Sequence, residues 1–200
     1  MGKRTITWVR HGQSEWNAVG RWQGHSDIAL SELGQAQACS LQSRLRADDY
    51  DLIYSSDLLR AHETGRLALP ESEILVDSRL REINFGIYEG HNAETLDEDA
   101  RKKVYEWWAK PYDFKLDGGE SMNCLNLRVQ QWLDELPEDC RVIVFTHGGV
   151  VRNALWQIVG PPASGEWSVV VENCSLTVTE YGPRRNLIHR VNDCFHLGLV

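Results

Sequence analysis

Two kinds of apolar run alternate along the chain. Short stretches rich in β-branched residues, "TITWV" (5–9), "DLIYSS" (51–56), "EILV" (73–76) and "RVIVF" (141–145), read as strands. The last has no polar alternation and reads as buried on both faces. Between them the apolar spacing turns helical. Ser31 is placed to cap a helix on which Leu33, Ala36, Leu41 and Leu45 share a face, and another helix begins near Asp57. Residues 95–109 read as a helix with acids first and bases after. Asp97/Arg101, Glu98/Lys102 and Asp99/Lys103 are i,i+4 pairs on what should be a solvated face. Residues 121–136 put Met122, Leu125, Val129, Trp132, Leu133 and Leu136 on one stripe, and "THGGVVRNALWQIVG" reads as a turn and a helix. The tail, 167–192, reads as two or three short strands.

Strands separated by helices predict an α/β fold: a single domain over residues 1–200, with a mainly parallel β-sheet flanked by helices on both faces. No repeat, low-complexity segment or linker divides it. Residues of about 91–120 read as a small helical lid or subdomain. Its Trp107, Trp108, Tyr112 and Phe114 face either the core or a pocket.

The formal net charge of −8 over 200 residues speaks against a nucleic-acid partner, whose phosphates need a basic face. Five cysteines without a C-x-x-C pair make a zinc cluster or disulfide framework improbable, so a reducing cytoplasm is the default location. The N-terminus is too short in apolar residues for a signal peptide and lacks the myristoylation pattern; no run suggests a membrane span. A homodimer is compatible with this reading.

Chemistry gathers where strands end, which in parallel sheets is where ligands bind. "TITWV" runs into Arg10-His11-Gly12, "RVIVF" into Thr146-His147-Gly148-Gly149, and Ser55-Ser56 leads within about a helical turn to Arg60. Two imidazoles and two guanidinium groups suit phosphoryl transfer. A neutral imidazole is a nucleophile, and guanidinium grips phosphate oxygens. Gly148 opens a helix whose first amides favour an anion. His25, His62, His91, His189 and His196 lack metal-ligand spacing, so neither a metal nor a cofactor is implied.

"RHGQSEWN" (10–17), "RWQGHSDIALSELGQAQA" (21–38), "SSDLLRAHETG" (55–65), "LREINFGIYEG" (80–90), "DGGES" (117–121) and "THGGVVRNAL" (146–155) together resemble the blocks of the histidine phosphatase, or phosphoglycerate mutase-like, superfamily. "ENCSLTVTEY" (172–181) is a fainter echo. The resemblance implies His11 as the nucleophile that becomes a phosphohistidine. It implies Arg10, Arg60 and His147 around the phosphoryl oxygens, Asn17 bonded to the same phosphate, and Glu82 as general acid and base. Gln23 and Gly24 would line the entrance. A surface ion pair of Glu82 with Arg79 or Arg81 is the competing reading, and Glu15 and Glu89 are the other nearby acids. The superfamily contains phosphatases, mutases and non-catalytic phospholigand binders. The intact set of residues and the compact 91–116 segment favour a metal-independent phosphatase of a small phosphate ester. A bisphosphoglycerate-dependent mutase is the alternative, and Asp117 departs from the proline usual in phosphatase-type members.

Overall fold

The computed structural model describes residues 2–110, 112–161 and 169–198. In chain order the strands and α-helices are β1 (Arg4–Arg10), α1 (Glu15–Ala18), α2 (Glu32–Ser40), β2 (Leu52–Ser55), α3 (Leu59–Ala68), β3 (Leu75–Val76), α4 (Glu98–Ala109), α5 (Met122–Glu135), β4 (Cys140–Thr146), α6 (Gly148–Val159), β5 (Leu176–Tyr181) and β6 (Asn186–Asp193). The six strands form one sheet in the order β3-β2-β4-β1-β5-β6. The four strands from β3 to β1 run parallel, and β5 and β6 run antiparallel. The tail therefore yields two strands, while the part of it at 167–168 lies outside the described residues.

Each face of the sheet has its own core. Ile6, Trp8, Val142 and Val144 face a cluster built from the α5 stripe and from Val150, Val151 and Ala154 of α6. Val9, Ile53, Ile143 and Phe145 face Ala38 of α2 and Ala68 of α3. All six α5 stripe residues are buried, and Trp132 packs on both Trp8 and Tyr54. That burial selects one face of an otherwise polar helix. Trp107 and Val104 bring α4 into the same cluster, with Trp107 edge-on to Phe85. Trp107 is thus a core residue, whereas Phe114 is 37% exposed. Among the described residues no helix is long and apolar enough to cross a membrane.

Three local expectations need correction. α2 is capped by Ser31, whose hydroxyl accepts from Gly34 N, but the buried face is Gly34 and Ala38, and Leu33 is 54% exposed. The helix ends at Ser40, so Leu41 and Leu45 are buried from a following turn instead. "EILV" supplies only a two-residue exposed edge strand, paired to Tyr54 and Ser55. On α4 the Asp97 carboxylate caps the helix by accepting from Ala100 N, and Lys103 pairs with Asp117 (2.8 Å) instead of Asp99.

The glycine face of α2 matters for the site. A methyl group on Gly34 would overlap the Gln13 carbonyl, and one on Gly12 would overlap the Gly34 carbonyl. Backbone lies against backbone here, with no side chain free to yield. Gly34→Ala should destabilise the protein by about 2 kcal/mol, the usual scale of overpacking. A urea midpoint unchanged by the substitution would show that the loop moves aside instead.

Candidate active site

The sheet order sets the tips of β2, β4 and β1 side by side, and the ladder runs one residue past the strands. His11 N donates to Thr146 O (2.8 Å) and Ser56 N to Phe145 O (2.9 Å). His11 and His147 consequently meet edge to face, with ring centroids 5.1 Å apart. α3 delivers Arg60 to the same place. Its guanidinium is fully buried, donating from one terminal nitrogen to Ser26 O (2.9 Å) and from the other to Gly24 O (2.8 Å).

The protonation of His11 follows from its neighbour. Nδ1 lies 2.7 Å from Gly12 O, which can only accept, so Nδ1 carries the hydrogen and Nε2 presents a lone pair. Arg60 Nε–H approaches that lone pair at 3.3 Å. Arg10 donates to Val171 O (2.6 Å), while its buried Nε has no hydrogen-bond partner among the described residues. His147 Nε2 is 2.9 Å from Ser56 Oγ, and its Nδ1 is likewise buried and unpartnered. Burial pushes the Arg60 guanidinium down to about 10, a sign of how little solvent shares its charge. Buried cationic and ring nitrogens around a neutral imidazole make a pocket suited to a tetrahedral anion.

Glu82 closes the site from the other side. Its carboxylate accepts from Gly149 N (3.0 Å), in the first turn of α6, and from Ile83 N (2.9 Å). It is not engaged by the flanking arginines. Arg79 pairs with Asp77 and Glu135, and Arg81 with Asp57. Gly148 sits between two cations, since a Cβ there would lie 3.0 Å from an Arg152 terminal nitrogen and 3.6 Å from Arg10 Nε. Asn17 Oδ1 accepts from Ser14 N (3.2 Å), so its NH2 is the end left for a ligand. Gln23 is buried and accepts from Ser14 Oγ (2.8 Å), and Gly24 serves through the carbonyl that holds Arg60. Arg10, His11, Arg60, Glu82, His147 and Gly148 thus gather at the strand tips, Gly24 joins them through Arg60, and Asn17 and Gln23 are tied to each other through Ser14.

Others escaped the sequence reading. Thr64 Oγ accepts from Gly12 N (3.0 Å) and donates to Arg60 O (2.7 Å), tying the loop after His11 to α3. Its position four residues after Arg60 was the available signal. Asn173 donates to His11 O (2.9 Å). Glu89 is occupied structurally, accepting from the His25, Ser26 and Phe85 amides. Among the described residues no group of three or more His, Cys, Asp or Glu side chains could hold a metal ion, and all five cysteines are free.

Burial, then the charges of Arg60 and Arg10, pushes the His11 imidazole well below the ordinary histidine value. Burial, Arg60 and His11 do the same to His147. Both rings stay neutral in the folded protein at pH values where the unfolded chain, titrating near 6.5, takes up protons. Stability should therefore fall as pH drops below about 6.5 and keep falling toward the folded-state values. Between pH 7 and 5.5 each ring should cost about 1 kcal/mol in urea unfolding, and His147→Gln should remove about that much of the loss. An identical loss in variant and wild type would refute this assignment.

With this geometry in view, the family model of the histidine phosphatase superfamily (branch 1) matches residues 6–194. Phosphoserine phosphatase 1 of Hydrogenobacter thermophilus is 35% identical over 196 residues, covering 95% of this chain and 92% of that protein. The probable phosphoglycerate mutase GpmB of Photorhabdus laumondii is 35% identical over 182 residues, covering 86% and 83%. The crystal structure of a phosphoserine phosphatase mutant from Entamoeba histolytica, in complex with phosphoserine, superposes with a TM-score of 0.83. It covers 97% of this chain and 99% of its own, and its 24% identity makes it a likeness of fold.

Proposed function

Because the chain belongs to the histidine phosphatase superfamily, branch 1, we propose that it hydrolyses a small phosphate monoester, without a metal ion, through a phosphohistidine on His11. The observation that carries the reading is the fixed tautomer of His11, whose Nε2 lone pair sits among Arg60, Arg10 and His147. In the first step Nε2 attacks phosphorus and the ester P–O bond breaks. The leaving oxygen takes a proton from the Glu82 carboxyl group. In the second step the Glu82 carboxylate takes a proton from water as that water attacks the phosphohistidine, which frees orthophosphate and restores His11. Arg10, Arg60 and His147 hold the equatorial oxygens, supplying the positive charge a metal would otherwise bring. Residues of about 91–120 would act as the lid that selects the ester. Trp108 of that segment packs edge-on to Trp22, with ring centroids 5.6 Å apart, and Trp22 directly precedes Gln23 and Gly24 in the chain.

The relatives carry both a phosphatase and a mutase name, and the longer coverage belongs to the phosphatase. The test is a panel of phosphate monoesters assayed in chelator, with 3-phosphoglycerate included with and without added 2,3-bisphosphoglycerate. Orthophosphate should be released and no 2-phosphoglycerate formed. Isomerisation faster than phosphate release would replace this reading with the mutase.

A further inference from the structure

We propose that Arg128, backed by Glu120, is a positioning residue for the acid–base step, fixing the segment that carries Glu82. The proposal rests on the reading of Glu82 as proton donor. Residues 79–82 lie in a turn and an extended stretch outside the sheet, so no strand partner satisfies their carbonyls. Side chains do so instead. Arg128 donates from one terminal nitrogen to Arg79 O (2.7 Å) and Arg81 O (2.6 Å), and from the other to Glu82 O (2.7 Å). Thr146 Oγ donates to Leu80 O (2.7 Å), and His25 Nε2 lies 3.0 Å from Glu82 O.

The remaining Arg128 donors go to Glu120, with Nε to Oε1 at 3.1 Å and a terminal nitrogen to Oε2 at 2.9 Å. Those five bonds use the whole donor set of a guanidinium, and the side chain is only 15% exposed. Glu120 continues the tie by accepting from Asn84 N (3.0 Å), two residues past Glu82. The acid is therefore gripped on both sides along the backbone, and its carboxylate lands on Gly149 N. A lysine, with three donors and no planar fork, cannot hold three carbonyls and a carboxylate at once. Proton transfer is sensitive to sub-ångström placement of the donor, so slackening this grip should act on the step that needs the proton.

That dependence separates positioning from mere stability. Single-turnover phosphorylation of His11 would be followed with nitrophenyl phosphate, whose leaving group needs little help, and with ethyl phosphate, whose alkoxide needs a proton. The proteins are wild type, Glu82→Gln, Arg128→Lys and the combination, with folding checked by circular dichroism. Arg128→Lys should slow the ethyl ester at least about tenfold more than the nitrophenyl ester, and should slow Glu82→Gln further by less than about threefold. If Arg128→Lys does not fold, the neutral pair Arg128→Met with Glu120→Gln is read in the same way. Equal slowing of both esters by the Arg128 variant, with the Glu82→Gln contrast intact, would overturn the positioning role alone. Absence of any contrast in Glu82→Gln would overturn the reading of Glu82 and this inference with it. Failure of both Arg128 variants to fold would assign the residue to the fold and overturn the proposal.

Discussion

Alanine at position 11 should lower turnover at least about 10⁴-fold and remove all acid-labile, alkali-stable phosphate from the protein after an alkaline quench. The size follows from the lack of a competent substitute nearby. Ser56 Oγ meets His147 Nε2, but among the described residues no carboxylate orients His147 Nδ1, unlike the base of a serine hydrolase. Burial holds the Cys174 thiol near 12, so thiolate is scarce at neutral pH. His11, by contrast, joins a lone pair fixed by its own neighbour to a surrounding of cations. Trapped label on Ser56 or on a cysteine would defeat this mechanism.

Arg60→Ala should reduce kcat about 10²- to 10³-fold, the range for losing a preorganised donor to a developing anion. Arg60 is held by the Gly24 and Ser26 carbonyls before any substrate arrives, so its orientation need not be found during the reaction. Arg60→Lys should recover little, since one ammonium cannot keep both carbonyls and reach the phosphoryl group. A variant with weaker substrate binding but unchanged kcat would mean that Arg60 serves the ground state alone.

What the sequence disclosed depended on how local the cause was. β4 and the α5 stripe were legible because burial on two faces or one writes itself into spacing. The strand-tip residues were legible because strand ends and glycines mark where backbone stops pairing and ligands can approach. α2 misled, because its contact is made by the absence of side chains at Gly34 and Gly12, which a search for apolar residues passes over. Thr64 and Arg128 were missed for another reason. Each acts by satisfying backbone groups distant in sequence, at Gly12 for Thr64 and from Arg79 to Glu82 for Arg128, and such partners appear only once the chain is folded. The aromatics of the 91–120 segment divided between fates that composition could not separate, Trp107 inside and Phe114 at the surface.

The crowding of Arg10, Arg60 and Arg152 around two neutral rings has a thermodynamic corollary. After burial, Arg152 is the largest influence depressing Arg10, and Arg60 is the largest on both His11 and His147. Folding without an anion thus works against mutual repulsion at the tips of the central strands. A tetrahedral oxyanion that enters relieves the repulsion and binds the folded chain alone, so inhibition and stabilisation become two measurements of one equilibrium. The concentration of orthophosphate or vanadate that half-inhibits turnover, corrected for competing substrate, must then match the constant extracted from its upward shift of the melting temperature, adjusted to the same temperature. Product inhibition, on this view, is the fold completing its own charge balance.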